Sequence, residues 1–305
     1  MQERLFGFLP LNKPRGISSR TAVDAVKKLV GPSKVGHTGT LDPLADGMLV
    51  VCVGPATRLA TFVQQSKKTY IGSFTLGVSS ASDDSETELH AVEHAPVIAR
   101  QQLENMLPEF TGAISQVPPT FSAIKVGGKR AYELARKGKP VKLEPREVQV
   151  YSLELLDFSY PNFKLKTECG AGTYIRSLGR DIGERLGSAA IMTGLTRTDV
   201  GSFSLSDSTE TQGLTFASVK QQLVEPGTIF SDLPTAKLDD DQIARLINGA
   251  SFEAHELQLP GGLQRVVAVN QQNKLLALFQ SGKSAEQYRI EYNFANHYAV
   301  GQQQV

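Results

Sequence analysis

The sequence predicts an α+β fold with a mixed or antiparallel central sheet, followed by a small β-rich C-terminal module. Three observations predict it. Segments with strand patterning outnumber helical ones. The helical segments fall between strands without a regular strand–helix alternation, which argues against a parallel doubly wound sheet. Beyond residues 232–236 the pattern changes to short strands around one helix, over about 70 residues, within the small-domain range.

The elements follow in order. After FGFLPLNKPRG, a helix is expected from Ser19 to Val30: Ser18 or Ser19 can cap it, Ala22, Val23, Val26, Leu29 and Val30 recur at helical spacing, and Gly31-Pro32 ends it. A Gly- and Thr-rich loop, VGHTGTLDPLADG, leads into the apolar strand MLVVCVG, and TYIGSFTLGV alternates as a strand. Residues 100–110 read as helical, and FSAIKVGGKRAYELARKGKP as a strand, a Gly-Gly turn and a short helix. VQVYSLELLDF and FKLKTEC are expected to pair as strands, TYIRSLGRDIGERLG to form an amphipathic helix, and GSFSL a strand. A boundary is expected at DLPTA, 232–236; beyond it DDDQIARLING is a helix capped by Asp239, and RVVAVN and KLLALFQ are strands.

The chain of 305 residues is long enough for two domains, or for one with an appendage, and 40% hydrophobic with 21% charged residues is the composition of a globular protein. Cys52 and Cys169 are far apart and outside any C-x-x-C pair, which argues against a disulfide scaffold and a structural zinc site and for a reducing setting. The longest apolar run, Met48 to Val53, falls far short of the roughly 18 residues of a membrane span. The N-terminal stretch does not read as a signal peptide, so the expected location is cytoplasmic. A net charge of +1 conceals an asymmetry. Lys125, Lys129, Arg130, Arg136, Lys137, Lys139, Lys142 and Arg146 are opposed only by Glu133, Glu144 and Glu147, whereas Asp83 to Glu93 is acidic. A local basic element of this kind is what phosphate contact requires, although a solvated charged face is its ordinary explanation.

Several residues could carry chemistry. Asp42 lies in GHTGTLDPLADG, between a polar loop and an apolar strand, where functional groups are often displayed; an Asp-Pro turn is the plainer reading. His37 could be a base, a stacking group or a structural histidine, and His90, His94, His255 and His297 show no ligand spacing that would make a metal site with it. Arg176, between apolar neighbours in TYIRSL, is either a buried partner of a carboxylate or a surface arginine. Tyr70 and Tyr174 are either core packing or stacking platforms for an unpaired base.

Read together and in order, LNKPRGISS, GHTGTLDPLADG with GPATR after it, KKTYIGSFTLG, QVPPTFSAIKVGGKRAYELARKG, CGAGTYIRSLGRDIGERLG and LTRTDVGSFSL resemble the TruB family of tRNA pseudouridine-55 synthases, from about residue 6 to residue 232 and more weakly beyond. The resemblance implies a pseudouridine synthase fold over residues 1–232, with an RNA-gripping thumb at about 120–147, and a PUA-like RNA-binding module over 233–305. It implies Asp42 as catalytic aspartate, Tyr70 against the target base and Arg176 paired with the carboxylate. It also implies His37 stacking within the opened T-loop, and Tyr174 and Leu195 in the substrate pocket, with Lys129 and Arg130 of the thumb holding phosphates. The reaction breaks the C1′–N1 bond, turns the uracil and joins C5 to C1′, with no redox step or group transfer. No cofactor or metal is therefore expected, and a carboxylate suits it as nucleophile, base or stabiliser of positive charge at the sugar. The target must be flipped out of a folded loop. The implied partner is the T-arm of tRNA, with no membrane, no obligatory protein partner and a monomeric enzyme.

The sequence departs from the family pattern at Asp46, where a small hydroxyl residue is more usual, at Ala171, and in SSASDDSETE, which lacks a glycine after its acidic turn. Asp46 is expected to face solvent. Two other readings stand beside the enzyme: a non-catalytic tRNA-folding helper on the same scaffold, and a glycosidase-like hydrolase, which would need a second carboxylate about 5–10 Å from Asp42.

Overall fold

The computed structural model describes residues 4–299 except 136, 139 and 140, so Arg136 and Lys139 of the basic segment lie outside the described residues. Its main feature is a ten-stranded mixed sheet. Across it run Thr209–Glu210, Gly7–Lys13, Ala45–Val53, Ala190–Val200, Lys68–Leu76, Asn162–Cys169, Arg146–Ser159 and Gly112–Gln116. Val35–His37 and Phe203–Ser204 attach at the side. Neighbours are antiparallel except at two junctions, Gly7–Lys13 with Thr209–Glu210 and Ala45–Val53 with Ala190–Val200. The second junction lies at the middle of the sheet and becomes the floor of the site.

The strand Ala45–Val53 explains why its sequence is a continuous apolar run: both of its faces are covered. Met48, Val50 and Cys52 pack on one side with Phe8, while Leu49, Val51 and Val53 pack on the other against Ala22, Val23 and Val26 of the helix Ser19–Leu29. That helix begins and ends close to expectation, with the Ser18 hydroxyl accepting from the Thr21 amide at its cap. The helix Ile175–Arg185 lies on the sheet through Ile175, Leu178 and Ile182, beside Phe74 stacked on Phe163 at 5.0 Å. It lies close because Gly179 faces the Phe74 ring, and a Cβ there would approach the ring to 2.5 Å. The hairpin Arg146–Ser159/Asn162–Cys169 pairs as expected, and the Gly-Gly turn sits between Lys125–Val126 and Lys129–Arg130, followed by the helix Ala131–Ala135.

Several strands were not foreseen, among them Gly7–Lys13, Gly112–Gln116 and Gln287–Asn293, and two bear on the site. Val35–His37 lies within what reads as a loop, and Ala190–Val200 is a central strand whose Thr193, Gly194, Thr196, Arg197 and Thr198 carry no hydrophobic alternation.

From Thr235 onward the chain forms a second, five-stranded sheet, ordered Thr235–Lys237, Arg265–Val269, Leu275–Ser281, Gln287–Asn293 and Phe252–Glu253. One of its faces has a core of its own with Leu246, Phe279 and Tyr288. The other, with Val267, Val269, Leu275 and Leu278, packs with Phe294 into the same core as Phe8, Met48, Val50 and Phe230. Among the described residues no helix is long and apolar enough to cross a membrane.

Candidate active site

Asp42 sits in a turn entering the strand Ala45–Val53, its backbone carbonyl accepting from Ala45 N–H at 3.1 Å. The turn reading of Asp42 therefore holds. Its side chain is 37% exposed, and Oδ2 lies 3.0 Å from Nη2 of Arg176, whose side chain is only 5% exposed. The contrast sets the character of the site: the carboxylate faces outward and its cation lies beneath it. Oδ1 of Asp42 accepts no hydrogen bond among the described residues.

Arg176 is fixed on several sides. Nη1 donates to the Ser82 carbonyl at 2.8 Å and Nη2 to the Phe121 carbonyl at 3.0 Å, and Nη1 lies 3.5 Å from Oδ2 of Asp84. Asp84 is buried at 1% and accepts from the Ser82 hydroxyl and the Glu86 amide. A planar guanidinium with fixed donors suits such a multiply tied position. Sequence reasoning missed Asp84. Its signal is the acidic turn SSASDDSETE, which does not say which acid turns inward.

Tyr174 precedes the arginine helix as its N-cap residue. The buried Gln116 holds its backbone at two points, Oε1 accepting from Tyr174 N–H at 2.8 Å and Nε2 donating to Tyr174 O at 3.1 Å. The Arg146 guanidinium lies over the Tyr174 ring at 4.9 Å and donates to the Gly172 carbonyl. The Ser177 hydroxyl and Arg180 both donate to the Val117 carbonyl, so the segment leading into the basic hairpin is tied to the helix that carries Arg176.

Tyr70 and Leu195 border the site from neighbouring strands. Tyr70 pairs across with Arg197, and Leu195 with Gly72 on one side and Ala45 on the other. Both are half-buried against the core beneath the arginine helix. Burial, first, raises the Tyr70 pKa, which keeps the phenol protonated; Arg197 opposes this and lies in hydrogen-bond reach. Arg197, also missed, is buried and donates to the carbonyls of Met48 and Gly39. Gly47 makes its approach possible: with φ of +97° it brings the strand so close that a Cβ would lie 2.4 Å from the Arg197 carbonyl.

The structure thus brings Asp42, Arg176, Tyr70, Tyr174 and Leu195 into one region. It leaves three sequence candidates apart. His37 ends a strand paired to Val51, and its Nδ1 accepts from Gly39 N–H at 3.3 Å. Burial, and then Arg197 and Arg20, lower its pKa, so it is a neutral imidazole. Lys129 and Arg130 are exposed on the short hairpin and make no contact with Asp42 or Arg176 among the described residues. Asp46 does not simply face solvent, as expected; it is half-buried and near Lys13. The Lys13 ammonium is fully buried and donates to the carbonyls of Pro14 and Ile17. Burial lowers its pKa against the opposing pull of Asp46 and Asp42. Asp46 therefore balances a buried cation in a place where solvent was expected. No group of three or more His, Cys, Asp or Glu side chains with the arrangement of a metal site occurs among the described residues.

The fold is that of the pseudouridine synthases. One chain of a Cbf5–Nop10–Gar1 complex superposes with a TM-score of 0.69 at 23% identity, covering 95% of this chain and 84% of that one. A chain of an archaeal box H/ACA Nop10–Cbf5 complex superposes with 0.68 at 20% identity, covering 96% and 87%. The model of the TruB family pseudouridylate synthase N-terminal domain matches residues 27–175. A tRNA pseudouridine synthase B of Dehalococcoides mccartyi is 37% identical over 278 residues, 90% of this chain and 92% of that protein. That of Listeria innocua is 38% identical over 288 residues, 90% and 93%. The chain belongs to the TruB family of pseudouridylate synthases.

Proposed function

We propose that this enzyme isomerises a uridine of tRNA to pseudouridine, that the uridine is position 55 of the T-loop, and that Asp42 is its catalytic carboxylate. The observation that carries the reading is the asymmetric Asp42–Arg176 pair: one carboxylate oxygen on a buried guanidinium, the other without a partner among the described residues, with Tyr70 near enough for the carboxylate's charge to act on it. The names of the relatives, tRNA pseudouridine synthase B, support the substrate class.

In this reading the site residues divide the reaction among them. Arg176 orients the carboxylate before substrate arrives, so no reorganisation is required when the C1′–N1 bond breaks. Oδ1 of Asp42 then meets the sugar or base of the flipped nucleotide as nucleophile, base or charge stabiliser. Tyr70 and Leu195 give the extruded uracil an apolar face against which it turns. His37 stacks within the opened loop as a neutral ring, and Lys129 and Arg130 hold the phosphates of the T-arm. The enzyme works alone, as a monomer in the cytoplasm.

The test is tritium release from a tRNA transcript labelled at C5 of uridine, with the modified position mapped. Release from the T-loop uridine is expected. Asp42→Asn should lower the rate by roughly 10⁴-fold or more, the scale on which loss of a central catalytic group acts, while tRNA binding is retained. Wild-type binding without release would favour the RNA-folding helper, and release from another position would overturn the choice of uridine.

A further inference from the structure

We propose that Ser19 is a positioning residue for Asp42. The inference rests on Asp42 being the catalytic carboxylate. Among the described residues Asp42 has a single side-chain anchor, through Oδ2, and its other oxygen is without a partner. A carboxylate held on one side only must take its remaining constraint from its backbone, and that backbone is gripped from both directions by one short segment, residues 16–19.

On the N-terminal side, the Ser19 hydroxyl donates to the Leu41 carbonyl at 2.9 Å and accepts from the Leu41 amide at 2.8 Å. Both polar groups of the residue before Asp42 are thereby held by one oxygen atom. On the C-terminal side, Gly16 N–H donates to the carbonyl of Pro43 at 2.8 Å. Ser19 is 2% exposed, so water does not compete for either bond. Its hydroxyl is not occupied with helix capping, because Ser18 accepts from Thr21 N–H at 3.1 Å and does that alone. The adjacent serines of the LNKPRGISS motif divide two tasks. Ser18 starts the helix, and Ser19 fixes the turn that carries the carboxylate.

The same device appears on the other half of the pair. Gln116 holds both backbone groups of Tyr174, two residues before Arg176, as Ser19 holds those of Leu41, one residue before Asp42. Carboxylate and guanidinium are each set from a neighbouring residue by a buried two-point clamp.

The experiment compares Ser19→Ala with wild type under single-turnover conditions at saturating tRNA, alongside the tRNA Kd and the Tm. The expected result is a chemical step slowed by roughly 10- to 100-fold, the cost of about an ångström of misplacement, with Kd within about twofold of wild type. Ser19→Thr, which keeps the hydroxyl, and Ser19→Cys, which keeps the size without a comparable acceptor, provide a second comparison if the alanine variant does not fold. Thr near the wild-type rate with Cys slowed supports the clamp. A rate within twofold of wild type for Ala, or equal rates for Thr and Cys, overturns it. Failure of wild type itself to release tritium would overturn the underlying function instead, so the two failures are distinct.

Discussion

The basic hairpin and the C-terminal module were both expected to touch RNA, yet they are built in opposite ways. The hairpin segment presents Lys125, Lys129, Arg130 and Lys137 to solvent, and among the described residues no carboxylate lies within ion-pair distance of them. Its own core is slight, centred on the buried Ala131. The C-terminal module pairs three of its cations instead, Arg245 with Glu256, Arg265 with Glu291, and Lys274 with Glu225 of the preceding segment, and leaves Lys237, Lys283 and Arg289 exposed. Its second sheet face is spent on a core shared with the catalytic sheet. Unpaired cations on a thinly packed element are free to release counterions on meeting phosphate, whereas paired ones are not. The shared core makes the module a support of the catalytic sheet, and we propose gripping for the hairpin.

The largest effect that sharpens this comparison is on stability. Phe294 is 3% exposed, lies 5.0 Å from Phe6, and has the Arg58 guanidinium 5.0 Å over its ring. Phe294→Ala should cost about 3–5 kcal/mol, the range for buried aromatic truncations, measured by denaturant unfolding. The folded fraction should bind tRNA with unchanged Kd. Weaker tRNA binding with an unchanged unfolding midpoint would break the comparison, because the module would then be gripping.

Next in size is the converse experiment. Neutralising Lys129, Arg130 and Lys137 together should leave stability within about 0.5 kcal/mol, as for surface substitutions. It should flatten the slope of log K against log salt by about 2–3, at roughly 0.7–0.9 for each phosphate no longer neutralised. The matched triple on the module, the exposed Lys237, Lys283 and Arg289, should change the slope by less than about 1. Equal slopes for the two triples would make the hairpin a solvated face.

Local physics was largely legible in the sequence. The caps at Ser18 and Asp239, the apolar periodicity of the helix Ser19–Leu29 and the doubly buried run Met48 to Val53 all depend on neighbours within a few residues. What escaped depends on distant partners. Ala190–Val200 carries Thr193, Gly194, Thr196, Arg197 and Thr198 in its middle, so it lacks the alternation that marks a strand, although it is central to the sheet. Asp84 and Arg197 are buried charges whose partners come from far along the chain, and nothing local separates Asp84 from Asp83 or Glu86. Arg176 could be read either way until Asp42 was seen beside it. The resemblance supplied that pairing, and the geometry supplied its depth: one member exposed, the other not.

The smallest expected effect is a pH dependence at the seam between the two sheets. His297, in the helix Ala295–Ala299, meets Phe6 edge-on at 5.2 Å. Burial, and then Arg4, push its pKa below the ordinary value, with Glu225 opposing. The folded state therefore prefers the neutral ring. Between the folded-state pKa and the unfolded value near 6.5, the unfolded chain binds more protons, so stability rises with pH in that window. The contribution is fully present above about pH 6.5 and is lost as pH falls through the window. His37 shifts in the same direction in the strand leading to the Asp42 loop, so wild type carries at least two such groups, and only one lies at the module. His297→Phe keeps a ring against Phe6 and removes the titration. Its Tm should decline less steeply than that of wild type as pH is lowered from about 7.5 to about 5.5, by a few degrees at most, with tRNA affinity at neutral pH unchanged. Parallel declines would mean that the seam does not sense protons, and a change in tRNA affinity would tie this face of the module to RNA after all.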